Sequence, residues 1–310
     1  MRDRRVIPTE TPGGWELAPV AGVWRGARRA LADGIVALSS KLTGDDLDEK
    51  ISRSLPGVAN EVGVDPFGVD VNTIRVSCAI LVHLHRTWFR TEVHGIENVP
   101  DGRVLIVANH SGQIPLDGIV IASAMMLDTD RPRFVRSMVE RFVGTLPYVS
   151  VWFGRLGQVL GSQENARRLL ESEEALLVFP EGVRGIAKPF RERYRLRPFG
   201  QGFMRLALET HTPIVPVAVI GAEEQYPSVA ELRRLANLFN VPAFPVIPQL
   251  FMGMPFPLPV KYRVYFGEPI HVKGDPDEED AVIDEKVWAV QATIQSMVNR
   301  GLRERRAIFW

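Results

Sequence analysis

The chain has one cysteine, no long apolar run and no net charge, and each absence removes a class of protein. Cys78 stands alone among 310 residues, so no internal disulfide can form and a thiol-reducing compartment fits. Its apolar neighbourhood marks it as a small core residue rather than a nucleophile. No stretch supplies the roughly 18 consecutive apolar residues that a membrane-spanning helix requires. The opening Met-Arg-Asp-Arg-Arg is not followed by an apolar segment, so no secretion signal is expected. Thirty-seven Lys and Arg balance 37 Asp and Glu, which leaves no global field to draw in nucleic acid, and none is expected as a partner. No cluster of His, Cys and Asp carries metal-ligand spacing, so neither a metal nor a resident cofactor is expected. What remains is a chain that is 45% hydrophobic, ample for one large domain or a domain with an appendage.

The first part of the chain, residues 1–70, is polar and reads as a helical or partly mobile extension, with a helix over Val23–Leu42. A second helix is predicted over 72–90, where Ile74, Cys78, Leu81, His85 and Trp88 recur at three and four. Its mixture of apolar residues with Arg75, Arg86 and Arg90 suits a membrane interface or packing on the core. From residue 71 to 310 extends the main domain. Apolar runs at Val104–Ala108, Phe134–Val135, Ala175–Phe179, Ile214–Ile220 and Tyr262–Phe266 alternate with helical stretches at Gly118–Leu127, Ala166–Glu171, Gly202–Thr210 and Val229–Leu238. Such alternation predicts an α/β fold, a mainly parallel central sheet flanked by helices. A last helix over 278–306 carries Ile283, Val287, Val290, Ile294 and Met297 on one stripe. Residues 238–260 fit neither scheme: they hold six prolines, no charge and many large apolar side chains. Proline at that density forbids a regular helix or a central strand. Such a loop must fold over the core, enter a membrane interface or line an acyl-chain channel.

Two strand ends carry chemistry. Asn109-His110-Ser111-Gly112-Gln113-Ile114-Pro115-Leu116-Asp117 follows Val104–Ala108. Pro115 suits the first turn of a helix, which would place Asp117 where its carboxylate can fold back toward His110. A carboxylate on one ring nitrogen fixes the tautomer and raises the basicity of the other, so His110 can take a proton from a substrate hydroxyl. Ser111 lacks a Gly-x-Ser-x-Gly elbow and adjoins its supposed base, so it shapes the loop. The second strand end is Phe179-Pro180-Glu181-Gly182-Val183-Arg184-Gly185. Its glycines permit a tight turn whose backbone N–H groups can meet an anion, and Arg184 adds a fork suited to phosphate. Between Arg131 and Arg205 there are fourteen Lys and Arg against seven Glu and no Asp, a solvated basic face or an anion site. Lys188 and Arg193 are the expected contributors from the run after the turn. Phe153-Gly154-Arg155 is a third candidate.

With these blocks in order, the chain resembles the glycerolipid acyltransferases, the lysophosphatidic acid acyltransferases and their relatives, over roughly residues 90–270. The blocks are Asn109-His110 with Asp117, Phe153-Gly154-Arg155, Phe179-Pro180-Glu181-Gly182-Val183-Arg184 and Ile214-Val215-Pro216-Val217-Ala218-Val219. Six residues rather than four separate His110 from Asp117, and Val183 stands where the family usually has Thr. The resemblance implies acyl transfer from a thioester, acyl-CoA or acyl carrier protein, to the hydroxyl of a lysophospholipid. His110 would be the base and Asp117 its orienter. Asn109, Arg155, Glu181, Gly182, Arg184, Lys188 and Arg193 would form the substrate site, with Glu181 orienting Arg184 or binding an acceptor hydroxyl. Lysophosphatidic acid is the leading acceptor; another lipid alcohol, a thioester or lipid hydrolase and a non-catalytic lipid-binding protein are the alternatives. The expected place is the cytoplasmic face of a membrane, peripheral or monotopic, held through 72–90 and 238–260.

Overall fold

The computed structural model describes residues 18–55, 65, 67–112, 114, 116–145, 147–232, 234, 236 and 245–309. Pro115, residues 1–17 and residues 237–244, on which parts of the sequence reading fall, lie outside the described residues. A seven-stranded sheet runs through the domain. Its strands are β1 (Glu92–His94), β2 (Val104–Ala108), β3 (Val135–Val139), β4 (Val159–Leu160), β5 (Ala175–Val178), β6 (Ile214–Ile220) and β9 (Arg263–Phe266). A separate pair is formed by β7 (Ala230–Glu231) and β8 (Pro245–Val246). The large sheet has the order β1-β9-β6-β2-β5-β3-β4, and every neighbouring pair is parallel except β6 and β9.

The central strands read as unbroken apolar runs because both faces are covered: every residue of β2, β5 and β6 is buried. Each fully buried Val, Leu or Ile side chain contributes about 1.5–3 kcal/mol over an exposed one. One face packs against α6 (Gln163–Glu171), α8 (Gly202–Thr210) and the C-terminal helix Asp280–Glu304, whose Ile283, Val287, Val290, Ile294 and Met297 join that core. The other face takes Val120, Ile121, Ala124 and Met125 of α4 (Leu116–Leu127), with Phe89 and Tyr262. Pro216 lies inside β6, where a missing N–H would normally break a ladder. It is tolerated because its carbonyl side faces Gly267, just past the end of β9.

The parallel register puts the two motifs side by side. Val107 of β2 lies opposite Val178 of β5, so His110 and Glu181, 71 residues apart in the chain, leave the same edge of the sheet from adjacent strands. Ligand sites of open α/β sheets occupy that edge.

On the N-terminal side, α1 (Ala18–Thr43), α2 (Leu47–Ser54) and α3 (Val71–His83) share a third cluster with Met126, Leu127 and Phe134. The helix expected over 72–90 is shorter than its periodicity implies. It ends at His83 and continues as a single π-helical turn, Leu84–Trp88, which rotates His85 inward onto Asp128. The helix expected over Val229–Leu238 begins instead as β7, pinned by Pro245–Val246. Prolines confine the 245–260 stretch to that two-residue edge strand and one helical turn, Pro248–Phe251.

Candidate active site

His110 follows β2 directly and Asp117 sits in the first turn of α4. The His110 Nδ1 lies 2.9 Å from Asp117 Oδ2. That carboxylate also accepts N–H bonds from Ser111 at 2.8 Å and Gly118 at 2.9 Å. An ionised carboxylate only accepts, so Nδ1 carries the proton and Nε2 is left as the basic nitrogen. Asp117 is 0% exposed, whereas the His110 side chain keeps 13%. The ring stacks on Phe179, with centroids 4.1 Å apart and planes at 20°. Phe179 therefore clamps the imidazole from the second motif, a role the sequence reading did not assign to it.

The turn after β5 touches the same histidine. Gly182 adopts φ 56° and ψ −150°, a region essentially reserved for glycine. Gly185 approaches so closely that an added Cβ would stand 2.7 Å from His110 Cβ and 2.9 Å from Glu181 Cβ. Glu181 is buried and turned inward. Its Oε1 accepts the His110 backbone N–H at 2.9 Å, and its Oε2 accepts the Arg197 backbone N–H at 2.7 Å. Lys188 lies 3.4 Å from Glu181 and 3.0 Å from Glu223. Burial raises the Glu223 carboxyl above its ordinary value, and the charge of Lys188 opposes this without cancelling it. Glu181 and Lys188 thus brace the loop that carries His110.

The remaining site residues of the sequence reading divide. Asn109 exchanges two hydrogen bonds with Val219, its Oδ1 accepting at 2.7 Å and its Nδ2 donating at 3.0 Å. It extends the β2–β6 ladder with its side chain. Arg184 lies exposed at the cavity wall and donates to the Pro198 carbonyl at 3.1 Å. Arg155 ends α5 (Val149–Arg155), exposed, just outside the cavity wall formed by Phe153 and Leu156. Arg193 stacks over Phe190 at 4.4 Å, also away from that wall. The structure brings His110, Asp117, Glu181, Gly182 and Arg184 together and leaves Arg155 and Arg193 outside. Sequence reasoning also missed Gln225, which donates to the Ile114 carbonyl at 2.8 Å and accepts from Tyr262 at 2.8 Å. It fastens Ile114 to the helical turn Ala222–Gln225 after β6 and to Tyr262 just before β9, and no local motif signals it.

His110 stands at the wall of a cavity of about 1240 Å³. Leu81, Met126, Phe134, Met138 and Leu206 are among its side chains, contributed by α3, α4, β3 and α8. Among the described residues, no group of three His, Cys, Asp or Glu could hold a metal, and no helix is long and apolar enough to cross a membrane. A base held by a carboxylate, a tight glycine turn with an arginine and a large, mostly apolar cavity can together hold a lipid chain and activate a hydroxyl.

A family model described as Acyltransferase matches residues 90–220. An uncharacterized protein of Mycobacterium tuberculosis is 36% identical over 293 residues, covering 90% of this chain and 82% of that one. A DGAT1/2-independent enzyme synthesizing storage lipids, from Homo sapiens, is 27% identical over 219 residues, covering 70% and 63%. The crystal structure of the 1-acyl-sn-glycerophosphate (LPA) acyltransferase, PlsC, from Thermotoga maritima superposes with a TM-score of 0.50 at 18% identity, over 91% of this chain and 99% of that one. That last likeness concerns the fold: a mostly parallel sheet flanked by helices, with helices at the N-terminus.

Proposed function

The chain belongs to the acyltransferase family, and we propose that it moves a fatty acyl group from an acyl thioester to the hydroxyl of a lipid acceptor, a lysophospholipid or another lipid alcohol. The observation that carries this reading is the His110–Asp117 pair opening onto the apolar cavity. His110 Nε2 takes the hydroxyl proton, and the oxygen attacks the thioester carbonyl. The carbon–sulfur bond then breaks, and the thiolate leaves with the proton from His110. Asp117 holds the tautomer and stabilises the transient imidazolium. Donors near His110 would stabilise the developing oxyanion. The cavity receives the acyl chain, and the carrier is coenzyme A or acyl carrier protein.

Lysophosphatidic acid, giving phosphatidic acid, is the acceptor that the motifs resemble. A second reading, another lipid alcohol, is favoured by Val183 and by Arg184 being the one Lys or Arg on the cavity wall among the described residues, and the human relative's name, an enzyme synthesizing storage lipids, points the same way. The protein would work at the cytoplasmic face of a membrane without spanning it. Leu38 and Leu42 of α1, Ile80 of α3, and Phe251, Met252 and Phe256 are exposed. Trp88 donates to the Pro257 carbonyl at 3.1 Å, which joins the helical and loop portions of that apolar surface. Incubation of the purified protein with labelled acyl-CoA and lysolipids, read by product mass, tests the reaction. An acylated lipid is expected; free fatty acid alone, from thioester cleavage without an acceptor, would contradict the reading.

A further inference from the structure

We propose that Glu140 is a specificity-determining residue that selects an uncharged acylglycerol over a phosphomonoester as the acceptor. The proposal rests on the acyl-transfer reading above and decides between its two acceptors. Glu140 follows β3 directly and is exposed on the cavity wall. Its Oε1 lies 3.4 Å from the point that a Cβ on Gly182 would occupy, so the carboxylate leans over the same glycine turn that would cradle an anionic headgroup.

The charge on that wall is nearly balanced. Apart from His110 and the inward-turned Glu181, Glu140 and Arg184 are the only charged side chains among the described residues lining the cavity. Arg184 spends one donor on the Pro198 carbonyl. Glu140 makes no side-chain hydrogen bond or ion pair with any described residue. Its flanking wall residues Met138, Val139 and Val143 are apolar. A phosphate monoester carries about −1.5 to −2 charge at neutral pH, and here it would meet one arginine beside one carboxylate that has no partner among the described side chains. Like charges a few ångströms apart repel, even near an exposed surface. A glycerol headgroup fits the same groups without conflict. Its second hydroxyl donates to Glu140 while its reacting hydroxyl faces His110, because an ionised carboxylate is acceptor-only.

The test compares kcat/KM of the full-length wild-type protein for a monoacylglycerol and a lysophosphatidic acid bearing the same acyl chain, with one acyl-CoA donor. The expected result is a preference of about tenfold or more for the monoacylglycerol, the size of one near-surface charge repulsion. Glu140→Gln keeps the shape and removes the charge, so it should shrink the preference by about tenfold, mainly through KM for the phosphate-bearing acceptor. A wild-type preference for lysophosphatidic acid overturns the proposal, even if the variant does not fold. So does a ratio unchanged in a folded Glu140→Gln protein. Acylation of lysophosphatidic acid in preference leaves the acyl-transfer reading standing. Acylation of neither lipid, nor of any other lysolipid, removes both.

Discussion

Two part-buried histidine–aspartate pairs have nearly equal separations but bond through different ring nitrogens, Nδ1 of His110 and Nε2 of His85, and have opposite surroundings. His110 and Asp117 lie 2.9 Å apart, His85 and Asp128 2.7 Å apart. The first histidine projects from a strand end onto a cavity and stacks on Phe179. The second is 1% exposed, sits in the π-helical turn, and shares its carboxylate with Arg86, which also binds Asp45. Lys50 pairs with Asp45 and donates to the Leu127 carbonyl, so this second network ties α2, the π turn and the end of α4 together. Each histidine keeps one ring nitrogen without a described partner, so access to the cavity, not the pair distance, separates a reactive pair from a structural one.

Substitutions at each pair should therefore give different kinds of loss. Gly185→Ala forces a Cβ against His110 and Glu181, and a displacement of about 1 Å at a catalytic group can cost about a hundredfold in kcat. A normal rate in a folded Gly185→Ala protein would show that the close packing does not position the base. Asp117→Asn should lower kcat by up to about 10⁴-fold, because the ring persists but its tautomer is no longer enforced. Arg184→Ala should raise KM for a phosphate-bearing acceptor by about tenfold, with kcat little changed. An unchanged KM would remove its assigned role.

At the other pair, His85→Gln should leave acyl transfer within about twofold of wild type while costing about 1–3 kcal/mol of stability, the range for stranding a buried polar partner. Thermal melting reads the second quantity. A large rate loss without destabilisation would erase the contrast drawn above. Its pH dependence follows from Asp128. Burial pushes that carboxyl up, but hydrogen bonds and charge from His85 and Arg86 outweigh burial and hold it below its ordinary 3.8. The stability it contributes is thus present above pH 3.8 and fades as pH falls through the lowered value. The melting temperatures of wild type and Asp128→Asn should converge below pH 3.8 and separate above it.

The same contrast shows what could be read from the chain alone. β2 and β5 were legible as apolar runs, and so was the carboxylate of Asp117 folding back on His110, because both are local. Glu181 was not. Its sequence neighbour Arg184 suggested a partner, whereas the parallel register supplies the His110 backbone N–H from another strand. Asn109 looked like part of a substrate site because it adjoins the base, yet its amide completes a ladder with Val219 across 110 residues. The even periodicity of 72–90 concealed the π-helical turn, which exists to bring His85 to Asp128, a contact 43 residues away. Arg155 and Arg193 show the converse: a basic run announces charge but not which members reach the cavity.

The central claim is that His110, and not its buried counterpart, activates the lipid hydroxyl. Parallel acyl-ester formation by His110→Ala, His85→Gln and wild type, at matched folded fraction, tests it most directly. Loss of about two to four orders of magnitude for His110→Ala, with His85→Gln near wild type, is the result expected. Full activity in a folded His110→Ala protein would contradict it.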